Sequence, residues 1–202
     1  MKITDLKCAV IGNNPVVRIV TDDGIDGFGE VESFKQYLKP HVIFYKDYIL
    51  GQDPTNVEQV MMQIRRLGSF KPWGSAVSAI EMALWDIAGK AANLPVYKLL
   101  GGKVRDQVRV YNGAVRFPSR GVEPKHYAEN MAAMKEAPEG FTIIKQGVAF
   151  HGPMAQQVPN FYYGEVLPTG HRANRGLITE SGMKHLIACI EAMKAVLGDE
   201  VG

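Results

Sequence analysis

The sequence predicts two fold classes in succession: an α+β unit, built as an antiparallel meander followed by helices, and then an α/β unit with parallel strands. Three observations point there. Short β-branched runs near the N-terminus are separated by turn residues with no helix between them. Segments with apolar residues at helical spacing follow, and after Arg105 the order becomes strand, helix, strand, helix. The boundary is placed between residues 104 and 105, giving domains 1–104 and 105–202.

The meander occupies residues 2–31. The runs "CAVIG" and "VVRIV" are separated by "NNP", and "DDG" at residues 22–24 reverses the chain into "IDGFGE". From Pro40 the apolar period lengthens. Asp53 and Pro54 read as an N-cap and a first-turn proline, followed by Val57, Val60, Met61, Ile64 and Leu67 up to Gly68. The next helix, residues 75–92, has a stripe of Val77, Ile80, Leu84, Ile87 and Ala91. Ala79, Met82, Ala83 and Trp85 make its other sides apolar too, so burial on more than one side is expected. Asn93 ends this helix, Pro95 opens a short turn reaching Leu100, and Gly101 and Gly102 stop it.

In the second part "VRVYN" (108–112) alternates as a strand, and Tyr127, Met131 and Met134 share a helix face. "FTIIK" (141–145) is a second, buried strand, and Met183, Leu186, Ile187, Ile190, Met193 and Leu197 form a second helix stripe. Strands that alternate with helices read as parallel strands joined by crossovers. Val201 would open a third strand. Residues 146–180 form a connection of about 35 residues rich in Gly, Pro, His and Tyr, a length usually tied to function or disorder. The triplet Phe161, Tyr162, Tyr163 argues against disorder.

The composition, 46% hydrophobic and 22% charged over 202 residues, is that of an ordinary globular chain with material for one large or two small domains. The net charge of +2 is too small for a surface that tracks phosphates, which excludes nucleic acid as an expected partner. No apolar run nears the roughly 20 residues of a membrane helix, and "MKITDLKCAV" carries charges where a signal peptide is apolar. A cytoplasmic protein with no membrane partner is expected. Cys8 and Cys189 lack metal or redox spacing and read as buried free thiols.

The stretch "SAIEMALWDIAGKAANLPVYKLLGG" (78–102) strongly resembles the helix and glycine pair that close the N-terminal capping domain of the enolase superfamily, in its mandelate racemase and muconate lactonizing enzyme branch. "VVRIVTDDGIDGFGE" is similar to the second and third strands of that domain. The resemblance implies a capping domain followed by the first part of a TIM-type (β/α) barrel, incomplete in this chain. The short loop at residues 12–15, the tyrosine-bearing loop after the second barrel strand and "FKPWG" resemble the acid-sugar dehydratases, the mannonate type among them. Such enzymes remove the proton next to a carboxylate, hold the enediolate on magnesium and expel a β-hydroxyl as water.

Catalytic groups in such barrels come from the C-terminal ends of strands, where Lys145 stands. The family often has a KxK pair here, in which one lysine lowers the pKa of the other. This sequence reads Lys145, Gln146, Gly147, so the second lysine is replaced by a residue with no proton acceptor. The resemblance then implies that Lys145 supports or binds the substrate carboxylate, and that Tyr163, in the pair Tyr163–Gly164, is the candidate base. His171 and Arg172 are candidate substrate contacts, Arg172 through a bidentate carboxylate pair, and His151 is a further candidate. Lys35, Phe70, Lys71 and Trp73 lie where a capping domain would shape specificity; Lys35 and Trp73 are taken as substrate-binding. Ordinary alternatives stand beside each: a solvated strand end for Lys145, packing for the aromatics, surface charge for the rest. Trp85 and Asp86 read as structural, with Asp86 pairing to Lys90 at i, i+4. The glycines of "GIDGFGE" occupy turn positions without a following helix N-terminus, so this is no phosphate loop.

The magnesium ligands of the family are carboxylates ending the third to fifth barrel strands, and they are expected beyond residue 202. A full barrel takes about 250 residues, so the chain is expected to be the N-terminal part of a longer one, and this segment alone is expected to be inactive. The predicted function is that of a sugar-acid dehydratase, a carbon–oxygen lyase acting on a small sugar acid, as a homo-oligomer. The alternatives are a racemase or cycloisomerase of the same superfamily with a later histidine base, or a non-catalytic fragment or assembly subunit.

Overall fold

A computed structural model describes residues 1–68, 74–113, 120–149, 153–164 and 177–202. The chain forms two compact units, Met1–Asp106 and Gln107–Gly202.

In the first unit, strands β1 (Ile3–Ile11), β2 (Asn14–Thr21) and β3 (Gly27–Glu30) form an antiparallel sheet in sequence order. Leu6 lies opposite Ile19 and Cys8 opposite Val17. All four side chains are buried, which fixes the register, since a one-residue slip would turn them to solvent. A 3-10 turn (Gln36–Leu38) and the short helices α1 (Lys39–Phe44) and α2 (Lys46–Ile49) lead to α3 (Val57–Gly68), α4 (Gly74–Ala92) and α5 (Val96–Leu99).

The expected start of α3 is corrected. The Asp53 carboxylate accepts the Thr55 N–H (2.9 Å) and hydroxyl (2.7 Å), so Asp53 and Pro54 make a turn and the helix begins at Val57. Val57, Val60, Met61 and Ile64 are buried, whereas Leu67 is exposed. On α4, Val77, Ala79, Ile80, Ala83, Leu84 and Ile87 are all buried, which gives the broad apolar surface expected of it, while Met82 and Ala91 face solvent. Asn93 ends the helix in the left-handed region at φ 52°.

The reading of the "GIDGFGE" glycines also changes. Gly24, at φ 77°, occupies a turn, but Gly27 and Gly29 lie within β3. A Cβ on Gly27 would collide with the Ala83 carbonyl oxygen, and one on Gly29 with that of Ala79. These glycines let strand and helix backbones meet, with alanines on the helix side. Asp86 and Lys90 then lock the contact. Asp86 accepts the Phe28 N–H (2.9 Å) and the Lys90 ammonium (2.7 Å), which also donates to the Asp26 carbonyl (2.7 Å). Trp85 packs against the core at partial burial.

The second unit contains α6 (Pro124–Lys135), α7 (Met154–Gln157) and α8 (Glu180–Leu197). Helices α6 and α8 pack together around Tyr127, Met131, Met134, Cys189, Met193 and Leu197. Reciprocal side-chain bonds between Glu123 and His126 cap α6, and the Thr179 hydroxyl accepts the Gly182 N–H (3.0 Å) to cap α8. Lys135 reaches from α6 to the Val196 and Leu197 carbonyls (3.0 and 3.2 Å) at the end of α8. The stripe expected on α8 is displaced. Gly182, Cys189, Met193 and Leu197 are buried, while Met183, Ile187 and Ile190 remain exposed. The helix is apolar on two sides, and the side chosen is the one that packs on α6.

The predicted strands 108–112 and 141–145 are reduced to a parallel bridge between Asn112 and Ile144. The Asn112 N–H donates to the Ile143 carbonyl (3.0 Å), and the Lys145 N–H to the Asn112 carbonyl (2.8 Å). Gly202 exchanges bonds with Thr142 (3.0 Å) and Ile144 (2.8 Å) on the other side. The middle segment is thus paired on both edges, but Val108 and Val110 are exposed, and parallel pairing is weak without cover on both faces. Among the described residues no helix is long and apolar enough to cross a membrane.

Candidate functional site

Lys145 is placed by backbone pairing. Its N–H is bound to Asn112, and the hydrogen bonds end there, so its side chain emerges at the C-terminal end of the paired segment and is exposed. The ammonium sits 6.0 Å from the centroid of the Tyr111 ring and makes no ion pair among the described residues. Gln146 follows, with its amide donating to the Gly147 carbonyl (3.0 Å). Gly147 offers no functional group at the position of a second lysine.

Tyr163 is placed by a different device. Tyr162 and Ile178 form an antiparallel bridge, supported by Tyr163 N–H to Leu177 O (3.0 Å) and Thr179 N–H to Phe161 O (3.1 Å). This bridge ties the aromatic triplet to the segment that leads into α8. Tyr162 is buried and meets buried Phe161 edge to face at 5.0 Å, whereas Tyr163 is 61% exposed. Of the aromatic triplet, two residues pack and one presents its ring and hydroxyl to solvent. Among the described residues no hydrogen bond or ring contact joins Tyr163 to Lys145.

In the first unit Lys35 forms an ion pair with Glu32, whose carboxylate also accepts the Ser75 hydroxyl (3.4 Å). The hydrogen bond to Lys35 holds the Glu32 carboxyl below its usual value, and the same bond raises Lys35. Phe70, Lys71, Trp73, His151, His171 and Arg172 lie outside the described residues. Both cysteines are buried free thiols; burial pushes Cys8 up, and burial with the nearby Glu123 charge pushes Cys189 up to about 11.

Among the described residues no three His, Cys, Asp or Glu side chains come together to hold a metal ion. Magnesium prefers several hard oxygen donors, and the described part of this segment supplies no such set. The residue that sequence reasoning missed is Tyr111. The alternation of "VRVYN" gave it a side of a strand, but only the register of Asn112 against Ile144 places it beside Lys145.

The family described as "Mandelate racemase / muconate lactonizing enzyme, N-terminal domain" matches residues 11–101. The D-galactonate dehydratase of Pectobacterium atrosepticum is 40% identical over 101 residues, which are 48% of this chain and 26% of that protein. The D-galactonate dehydratase of Klebsiella pneumoniae is 41% identical over 101 residues, with the same coverage. The crystal structure of a mandelate racemase/muconate lactonizing enzyme-like protein from Rubrobacter xylanophilus superposes with a TM-score of 0.74 at 30% identity, over 98% of this chain and 52% of that one. The alignment thus spans about a quarter of the curated relatives and about half of that solved chain. Residues 11–101 accordingly match the N-terminal domain of the mandelate racemase and muconate lactonizing enzyme family, and the chain is similar to proteins of that branch over this stretch.

Proposed function

We propose that the whole protein carrying these residues is an acid-sugar dehydratase, with the second unit forming the start of its barrel domain. The identity of about 40% to D-galactonate dehydratases carries the reading and makes D-galactonate the first substrate to test. In this scheme the proton next to the carboxylate is removed, the enediolate forms, and the β-hydroxyl leaves as water to give a 2-keto acid. Lys145 is assigned to the substrate carboxylate. Its exposed ammonium, without an ion pair among the described residues, stands at the end of the paired segment, which suits it to bind an anion there. Tyr163 is assigned as the base, on its exposed hydroxyl, with His171 and Arg172 as further substrate contacts. Magnesium, the ion expected to stabilise such an enediolate, would take its ligands from other residues.

Incubation of the whole protein with a panel of aldonic and aldaric acids tests the assignment. A 2-keto product supports dehydration, with D-galactonate as the best substrate. Exchange of the α-proton for deuterium without loss of water would replace dehydration by racemization. Absence of both, with magnesium supplied, would favour an assembly role.

A further inference from the structure

The Lys145 ammonium faces a residue to which the proposed chemistry gives no part. Asn112 and Ile144 are paired in parallel register, so Tyr111 before the first and Lys145 after the second project from the same face of adjoining segments. The position opposite Lys145 on that face is Gly113. Its missing side chain leaves a slot that the Tyr111 ring fills: a Cβ on Gly113 would lie 2.5 Å from ring atom Cε2. The ring therefore folds along its own strand toward the end where Lys145 emerges, with the ammonium 6.0 Å from its centroid.

We infer that Tyr111, seated over Gly113, is a positioning residue that holds the Lys145 ammonium at the end of its strand. The attraction is to the electron-rich ring face, so it requires an aromatic ring and not the phenolic hydroxyl. A lysine already held there loses less rotamer freedom when it meets a carboxylate. The contact stands on the geometry alone; its consequence for turnover rests on the assignment of Lys145 made above.

The test uses the whole protein and two readouts. The first is the rate at which a pulse of an amine-directed acylating reagent modifies Lys145, read by peptide mass. Tyr111→Leu should raise that rate roughly two- to fivefold, and Tyr111→Phe should restore the parent rate. Gly113→Ala, which displaces the ring without removing it, should act like Tyr111→Leu and covers the case in which Tyr111→Leu fails to fold. Equal rates in the parent, the Leu variant and the Ala variant would overturn the inference, as would a Phe variant that behaves like Leu. The second readout is turnover of D-galactonate, where Tyr111→Leu should lower kcat/KM by roughly two- to tenfold, chiefly through KM, with Phe restoring it. If labelling responds while neither Tyr111→Leu nor Lys145→Ala alters turnover, the ring contact stands and the catalytic assignment of Lys145 fails.

Discussion

Among the described residues the first unit holds a continuous three-stranded sheet, whereas the second holds only isolated bridges. In Met1–Asp106 three antiparallel strands are joined by tight turns, every strand pairs with its sequence neighbour, and α4 lies directly on β3. Among the described residues of Gln107–Gly202 the parallel pairing amounts to a few hydrogen bonds around Asn112, Ile144 and Gly202. Val108 and Val110 stay exposed, as do Ile187 and Ile190 on α8. The difference follows from topology. Antiparallel hairpins close locally, whereas parallel strands depend on distant segments and on layers over both faces. The site candidates Lys145 and Tyr163 belong to the less self-sufficient unit.

Close backbone packing offers the sharpest way to test that contrast. Gly29→Ala places a Cβ on the Ala79 carbonyl oxygen, between a paired strand and a long helix that are both fixed. A loss of about 3 kcal/mol is expected, measured by urea denaturation of the first unit. Gly182→Ala is its counterpart in the second unit, against the Phe161 carbonyl. Phe161 belongs to a connection rather than a strand, and alanine gains up to about 1 kcal/mol in helix propensity. The expected loss is therefore smaller, about 1 kcal/mol. Equal losses at the two glycines would show that the second unit is as rigid as the first.

The smallest effect is a pH dependence. The Cys189 thiol is raised in the folded chain to about 11, so its stabilising contribution is complete below the unfolded value near 8.5 and is lost as pH rises through about 11. The denaturation midpoint of the second unit should fall in that window, and Cys189→Ala should fall less steeply. An identical slope in both proteins would remove Cys189 from the account.

Elements with local signals were legible in the sequence. Turn residues marked the meander, helical spacing marked α3 and α4, and the Asp86–Lys90 pair followed from i, i+4 geometry. What escaped depended on partners distant in sequence. Gly27 and Gly29 look like turn glycines until α4 is laid against them. The stripe on α8 was misplaced because an apolar helix with two candidate faces does not declare which one meets α6. Lys145 could be picked out from its place after "FTII" and from the family resemblance. Tyr111 could not, because its role depends on which residue of one segment faces which residue of another.

The most direct test of the functional account is Lys145→Ala in the whole protein, assayed with D-galactonate and magnesium and checked for native folding by circular dichroism. A fall in kcat/KM of at least about a hundredfold, with the 2-keto product made by the parent protein, is the result expected of a group that binds the reacting carboxylate. Parent-like turnover by a folded Lys145→Ala protein would contradict it.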